Sequence, residues 1–267
     1  MGRRRRLTQG VTGLAALGAL VLAGPAAGGA APAAAHAPAE LGPGPTPPGD
    51  RSVSSPNWAG YAAIGAVFND VQAGWTQPAV TCGSSKPQYA AFWVGIDGYN
   101  ASDHAVEQIG TDSDCVKSTA GHSKGHIAPS YYAWWEMYPA APVFLSTSSY
   151  PVAPGDSISA EVSHTGATFT LTITDAGHWT FSTPQTATTP VPPPQSSAEW
   201  VAETPGKALA DFGSVGFGGA TANGQPISAF TNEQINMTTK KKHGTTRASA
   251  SLLDPGGASF SVSWLST

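Results

Sequence analysis

The chain has 267 residues, of which 11% are charged, with 17 acidic against 13 basic side chains. That balance excludes a nucleic-acid partner: phosphate binding leaves a strongly basic face, and the cluster Lys240, Lys241, Lys242 and His243 reads as a solvated loop. Few cations also suit an acidic medium, where protonation of the carboxylates leaves positive self-repulsion as the main threat to a fold.

The first residues are an export signal in outline. Arg3, Arg4, Arg5 and Arg6 precede an apolar run from Val11 to Leu22, and Ala35-His36-Ala37 offers the small-x-small pattern that a signal peptidase accepts. Residues 1–37 are therefore expected to be removed and the protein secreted, by either the Sec or the Tat route. The apolar run is shorter than the roughly 20 residues a membrane-spanning helix needs, so no stable membrane association is expected. Residues 38–56, rich in Pro, Gly, Ala and Ser, have little to bury and read as a linker or short pro-segment. A single domain is expected over 57–267.

Within that domain the pattern is period two. Phe169, Leu171 and Ile173 alternate with threonines in ATFTLTIT, as do Phe260, Val262 and Trp264 with small residues in ASFSVSW. Similar runs cover Trp58 to Ile64, Phe68 to Trp75, Tyr89 to Ile96, Tyr131 to Tyr138, Ser157 to Ser163, Glu199 to Glu203, Ala210 to Phe217 and Ile227 to Ile235. So many short strands predict an all-β fold, a two-sheet antiparallel sandwich of jelly-roll or concanavalin-like type. Thr183 to Gln195, with five prolines, is expected to be an exposed loop. Cys82 and Cys115, the chain's two cysteines, are expected to form a disulfide in an oxidising compartment and to brace the segment that carries Gln108.

Carboxylates inside aromatic strands stand out in so weakly charged a chain, because burying an acid is costly. Alternation puts Trp93 and Asp97 on one face of FWVGIDG, Trp134, Glu136 and Tyr138 on one face of YYAWWEMYP, and Glu199, Val201 and Glu203 on one face of AEWVAE. A sheet face lined with acids and aromatics can bind an extended peptide or a sugar chain, and these patterns alone do not choose between them.

Longer blocks carry a resemblance to a known family. Asn57-Trp58-Ala59-Gly60, Trp93-Val94-Gly95-Ile96-Asp97-Gly98, Glu107-Gln108-Ile109-Gly110, the run from Tyr132 to Pro139, Gly155-Asp156-Ser157-Ile158, Ala198 to Glu203 and Ala210 to Val215 together resemble the glutamic peptidases, or eqolisins. These are acid proteases first recognised in fungi and also found in bacteria. The resemblance implies a double-sheet sandwich, a catalytic pair at Gln108 and Glu203, and Trp93, Asp97, Glu136 and Trp134 beside that pair, with Asp97 and Glu136 offered as a protonated pair at low pH. It implies polypeptide substrates, no metal or cofactor, and a monomer. Glu199 shares the strand face of Glu203, and only the block match favours the second acid.

The histidines form no paired ligand motif such as HExxH; His122 and His126, the nearest approach to one, sit in a Gly/Ser/Lys loop. No Gly-x-Ser-x-Gly elbow is present. The rival reading is a lectin or two-carboxylate glycosidase on a jelly roll, built on Glu136 and Glu203 and indifferent to Gln108.

Overall fold

Alternating runs become strands through most of the domain. The computed structural model describes residues 42–43, 52–100, 104–119, 125–187, 193–206, 208–240 and 244–267. The expected signal peptide, most of the 38–56 segment, His122 and the residues 241–243 lie outside the described residues. In chain order the strands are β1 (Gly42–Pro43), β2 (Ser52–Ser55), β3 (Trp58–Ile64), β4 (Asp70–Thr76), β5 (Ala91–Ile96), β6 (Val106–Lys117), β7 (Ile127–Tyr138), β8 (Val143–Phe144) and β9 (Ser157–Thr165). They continue with β10 (Thr168–Asp175), β11 (Trp179–Thr186), β12 (Ser197–Glu203), β13 (Ser214–Ala222), β14 (Gln225–Pro226), β15 (Thr231–Thr238), β16 (Thr246–Ala250) and β17 (Phe260–Trp264).

The all-β expectation holds, and four local expectations need correction. The most important is β6, a twelve-residue strand that alternation did not announce. Its middle reads Gly-Thr-Asp-Ser-Asp, turn-type residues apart from Thr111, but it is paired along its length with β7 and over half of it with β5. Pairing on both sides overrides propensity. The proline-rich stretch is not loop from its start, since β11 runs to Thr186 with Pro184 opposite Thr170. Among the described residues β11 pairs with β10 alone, so an edge position accommodates the missing proline N–H. The segment from Ile227 opens as a 3-10 turn (Ile227–Ala229) and is extended only from Thr231, and β16 was not expected at all.

One sheet runs β8-β7-β6-β5-β12-β3-β15, with β2 and β16 also on β15 and β17 beyond β16. The other runs β11-β10-β9-β4-β13. Strand β13 belongs to both. Its first half pairs with β17 and its second half with β4, and the register shifts between Gly218 and Thr221, where Gly219 takes φ 61. A bulge with a left-handed glycine is the ordinary way for a strand to turn from one sheet into another.

The main core fills the space between the sheets, with Phe92, Val94, Ile96 and Trp200 facing Trp75, Ile158, Phe169, Leu171 and Ile173. The central strands of the first sheet are buried on their other face as well. There a second cluster gathers Trp58, Ala62, Ala91, Trp93, Val106, Tyr132, Trp134, Val201 and Ile235. This second face carries the acids.

Cys82 and Cys115 form the expected disulfide, with Cα atoms 5.4 Å apart, and it ties the segment after β4 to the far end of β6. With the two cysteines 33 positions apart, closing the loop constrains the unfolded chain. The double variant Cys82→Ser, Cys115→Ser is expected to lose roughly 3–4 kcal/mol of unfolding free energy in urea. Equal midpoints for the variant and the oxidised protein would contradict this.

Candidate active site

The register across β12, β5, β6 and β7 arranges the second face as three rows of side chains. One row is Glu199, Gly95, Gln108 and Glu136; the next is Val201, Trp93, Gly110 and Trp134; the third is Glu203, Ala91, Asp112 and Tyr132. Strand β3 extends the third row with Trp58 and the first with Ala62, and β15 places Glu233 beyond Ala62. Gln108 and Glu203 thus occupy opposite corners of a block three strands wide, with Trp93 between them. Both are buried, as are Asp97, Glu136 and Trp134.

Trp93 links the two corners. Its indole Nε1 donates to Glu203 Oε2 at 2.9 Å, while the far edge of the ring lies over Gly95 next to Gln108. A Cβ on Gly95 would sit 2.9 Å from Trp93 Cζ3 and 3.2 Å from Gln108 Cβ, and one on Gly110 would sit 2.2 Å from the Phe92 carbonyl oxygen. Gly95 is therefore the room in which the indole edge lies, and Gly110 lets β6 approach the backbone of Phe92 and Trp93. Trp58 closes over it edge to face, with ring centroids 4.8 Å apart.

Glu203 receives a second, long contact from Asn57 Nδ2 at 3.5 Å. N–H donors of this kind favour the ionised form of a carboxylate. Gln108 is fixed differently: its Nε2 donates to Glu136 Oε2 at 3.1 Å, across the β6–β7 pair that sets these residues opposite one another. Glu136 thus has Gln108 as a partner.

Asp97 departs from its expected place. Strand β5 ends at Ile96, and Asp97 takes φ 67, so the alternation that would have set it on the face of Trp93 stops one residue short. Its carboxylate instead accepts the backbone N–H of Gln195 at 2.9 Å and of Ser196 at 2.7 Å, holding the approach to β12. Asp97 braces the strand that carries Glu199 and Glu203.

Glu199 stands in the row of Gln108, separated by Gly95, and faces Glu233 across Ala62. Tyr99 lies near both acids, and burial first, then Glu233 and Glu199, push its hydroxyl up to about 12.

Three residues of this face were not picked out from sequence: Asp112, Asp114 and Tyr132. All are buried, and both aspartates are hydrogen-bonded to the Tyr132 hydroxyl. The missed signal was the spacing Gln108, Gly110, Asp112, Asp114, every second residue of a strand hidden by its own composition. On the other sheet His178 pairs through Nδ1 with Asp175 Oδ2 at 2.8 Å, and Asp156 brings a further carboxylate within 4.8 Å. That group lies away from the acid-lined face.

A double-sheet sandwich with a glutamine and a glutamate set around one tryptophan defines a class. The profile of the Peptidase A4 family matches residues 56–264, and the chain belongs to that family. It is 32% identical over 197 residues to aspergillopepsin-2 of Aspergillus niger, a match covering 63% of this chain and 64% of that protein's length. Its fold is similar to that of scytalido-glutamic peptidase crystallised with a transition-state analogue inhibitor, at TM-score 0.61 and 22% identity, covering 78% of this chain and 98% of the other. It is also similar to SCP-B, a member of the eqolisin family of peptidases whose structure is in a complex with the tripeptide Ala-Ile-His, at TM-score 0.56 and 21% identity over 78% and 98% of the two chains.

Gly95→Ala tests the placement of Trp93. The added methyl meets the indole edge and the Gln108 Cβ, so the ring must move off Gly95 and strain its bond to Glu203. A stability loss of about 1–3 kcal/mol is expected, as for other overpacked sites, together with a changed near-ultraviolet circular dichroism signal. An unchanged signal and midpoint would show that the ring does not lie where described.

Proposed function

We propose that the protein is a secreted, acid-acting glutamic endopeptidase in which Glu203 activates a water and Gln108 stabilises the oxyanion. The observation that carries this is the pairing of one buried carboxylate held by Trp93 Nε1 with one buried carboxamide held by Glu136, on a single face of the sheet. The arginine-led, apolar start of the chain supports export. Relatives of the same fold bind a transition-state analogue and a tripeptide, which supports a polypeptide as ligand.

In the proposed step Glu203, ionised, takes a proton from a water that attacks the peptide carbonyl carbon. A carboxamide nitrogen carries two N–H groups. One of those on Gln108 serves Glu136, and the other donates to the carbonyl oxygen as it becomes negative. Glu203 then passes its new proton to the leaving nitrogen, so the base is regenerated as the bond breaks. A carboxamide never ionises, so no like charge on the partner opposes the ionisation of Glu203, unlike a pair of aspartates. Trp93, Trp134 and Trp58 supply the aromatic walls of the face.

Glu203 is preferred to Glu199 as the base because the indole N–H ends on it, while Glu199 lies between Gln108 and a second acid. On a denatured protein substrate at acid pH, Gln108→Ala and Glu203→Gln are each expected to lower kcat by at least about 100-fold, the scale of a lost oxyanion donor. Glu199→Gln should keep activity within about tenfold. Full activity in Gln108→Ala, or hydrolysis of a polysaccharide in place of protein, would overturn the assignment in favour of a two-carboxylate glycosidase.

A further inference from the structure

Two aspartates of β6 and one tyrosine of β7 form a network whose protons do not add up if both acids are ionised. Asp112 and Asp114 are each 0% exposed. Asp112 Oδ1 accepts from Trp134 Nε1 at 2.6 Å, and Asp114 Oδ1 accepts from the backbone N–H of Ala90 at 3.2 Å. The remaining oxygens, Asp112 Oδ2 and Asp114 Oδ2, lie 2.9 Å and 2.6 Å from the same atom, the Tyr132 hydroxyl oxygen. A phenol has one proton and donates once. The other contact must be made by a proton on a carboxyl group; without it, a lone pair would face a carboxylate in a site buried from solvent.

The surroundings sharpen the point. The titratable groups that face Asp112 among the described residues are Asp114 on its own strand, Tyr132 on β7 and Glu203 on β12, and Tyr89 stands beside Asp114. Every one is an acid. Burial, then Asp114, push Asp112 well above the usual carboxylate range, against the pull of the Tyr132 and Trp134 hydrogen bonds, with Glu203 adding to the push. Burial raises Asp114 to about 7, offset in part by Tyr132 and the Ala90 N–H. Burial and the two aspartates push the Tyr132 hydroxyl upward too, so the phenol keeps its proton.

We propose that Asp112 is carried as the neutral acid in the folded protein, donating from Oδ2 to Tyr132, which donates to Asp114, and that it acts as a positioning residue for the site. As a neutral acid it holds the Trp134 indole, and it leaves Glu203, its neighbour two strands away across Ala91, the sole ionised group of that row. The part concerning Glu203 rests on the function proposed above, whereas the proton count does not.

The sign of the pH effect follows. An aspartate of the unfolded chain ionises near pH 4, whereas Asp112 keeps its proton in the fold well above that. From about pH 4 upward the folded state therefore binds about one more proton than the unfolded state, and stability falls as pH rises until the folded network itself gives up the proton.

Three measurements on the wild type and Asp112→Asn test this. An asparagine keeps an oxygen for Trp134 and presents an N–H to Tyr132, so it mimics the neutral acid without a titrating proton. In the infrared difference between wild type and variant at about pH 6, the carbonyl stretch of a protonated carboxylic acid is expected in the wild type and missing in Asp112→Asn. The fall of thermal midpoint with pH should be shallower in the variant by the equivalent of about one proton. The alkaline limb of the kcat/KM profile on a denatured protein should move to higher pH. If Asp112→Asn does not fold, Asp114→Asn serves, since its amide also donates to Tyr132, which then donates to an ionised Asp112. No carboxylic acid band in the difference, or parallel midpoint curves, would overturn the proposal. A wild type that shows the band but cleaves no protein would sink the peptidase assignment and leave the proton on Asp112 standing. A wild type that cleaves without the band would do the reverse.

Discussion

The hydrogen bond from the Trp93 indole to Glu203 is the contact on which the acid-lined face depends. An indole N–H can only donate, and a carboxylate can only accept, so each satisfies the other where water does not reach. For the ring to lie between Glu203 and Gln108, the position under its far edge must lack a side chain, and Gly95 supplies that on β5, while Gly110 lets β6 approach the backbone of Phe92 and Trp93. Trp58 then covers the ring from β3. Remove the indole and Glu203 loses a donor at 2.9 Å; fill Gly95 and the indole edge has no bed.

How the face is held apart from the rest of the fold is a matter of period. On β5 and β12, odd and even residues go to different environments, Phe92 and Trp200 into the core between the sheets and Trp93 and Glu203 onto the opposite face. The second sheet serves the first by covering its apolar side, and its own other face is left to water, as the alternation of β10 shows.

Much of this was visible in the chain itself. Alternation placed Glu199, Val201 and Glu203 together, and Trp134 with Glu136, because period two is a local property that the sequence writes directly. The all-β class followed from the same signal. What stayed hidden were the facts that depend on the neighbouring strand. Nothing along β6 says that Gln108 will stand opposite Glu136 or Asp112 opposite Tyr132, since register is decided by both strands at once. The acids of β6 looked like a turn for the same reason, their extended shape being imposed by partners on either side. Asp97 misled in the opposite way: it continued the pattern on paper, but the strand had already ended. The choice between Glu199 and Glu203 came from likeness to a family, and the geometry adds the indole contact to that choice.

Strand β13 has a mechanical meaning beyond its place in the topology. Because its first half completes the acid-lined sheet through β17 and its second half completes the other sheet through β4, neither sheet has a boundary at which it can come away whole. A crack opening along one sheet must pull on the other through a single continuous backbone. The two layers are thus stitched into one cooperative body, and loosening the layer farthest from Glu203 is transmitted along the chain to the layer that holds it.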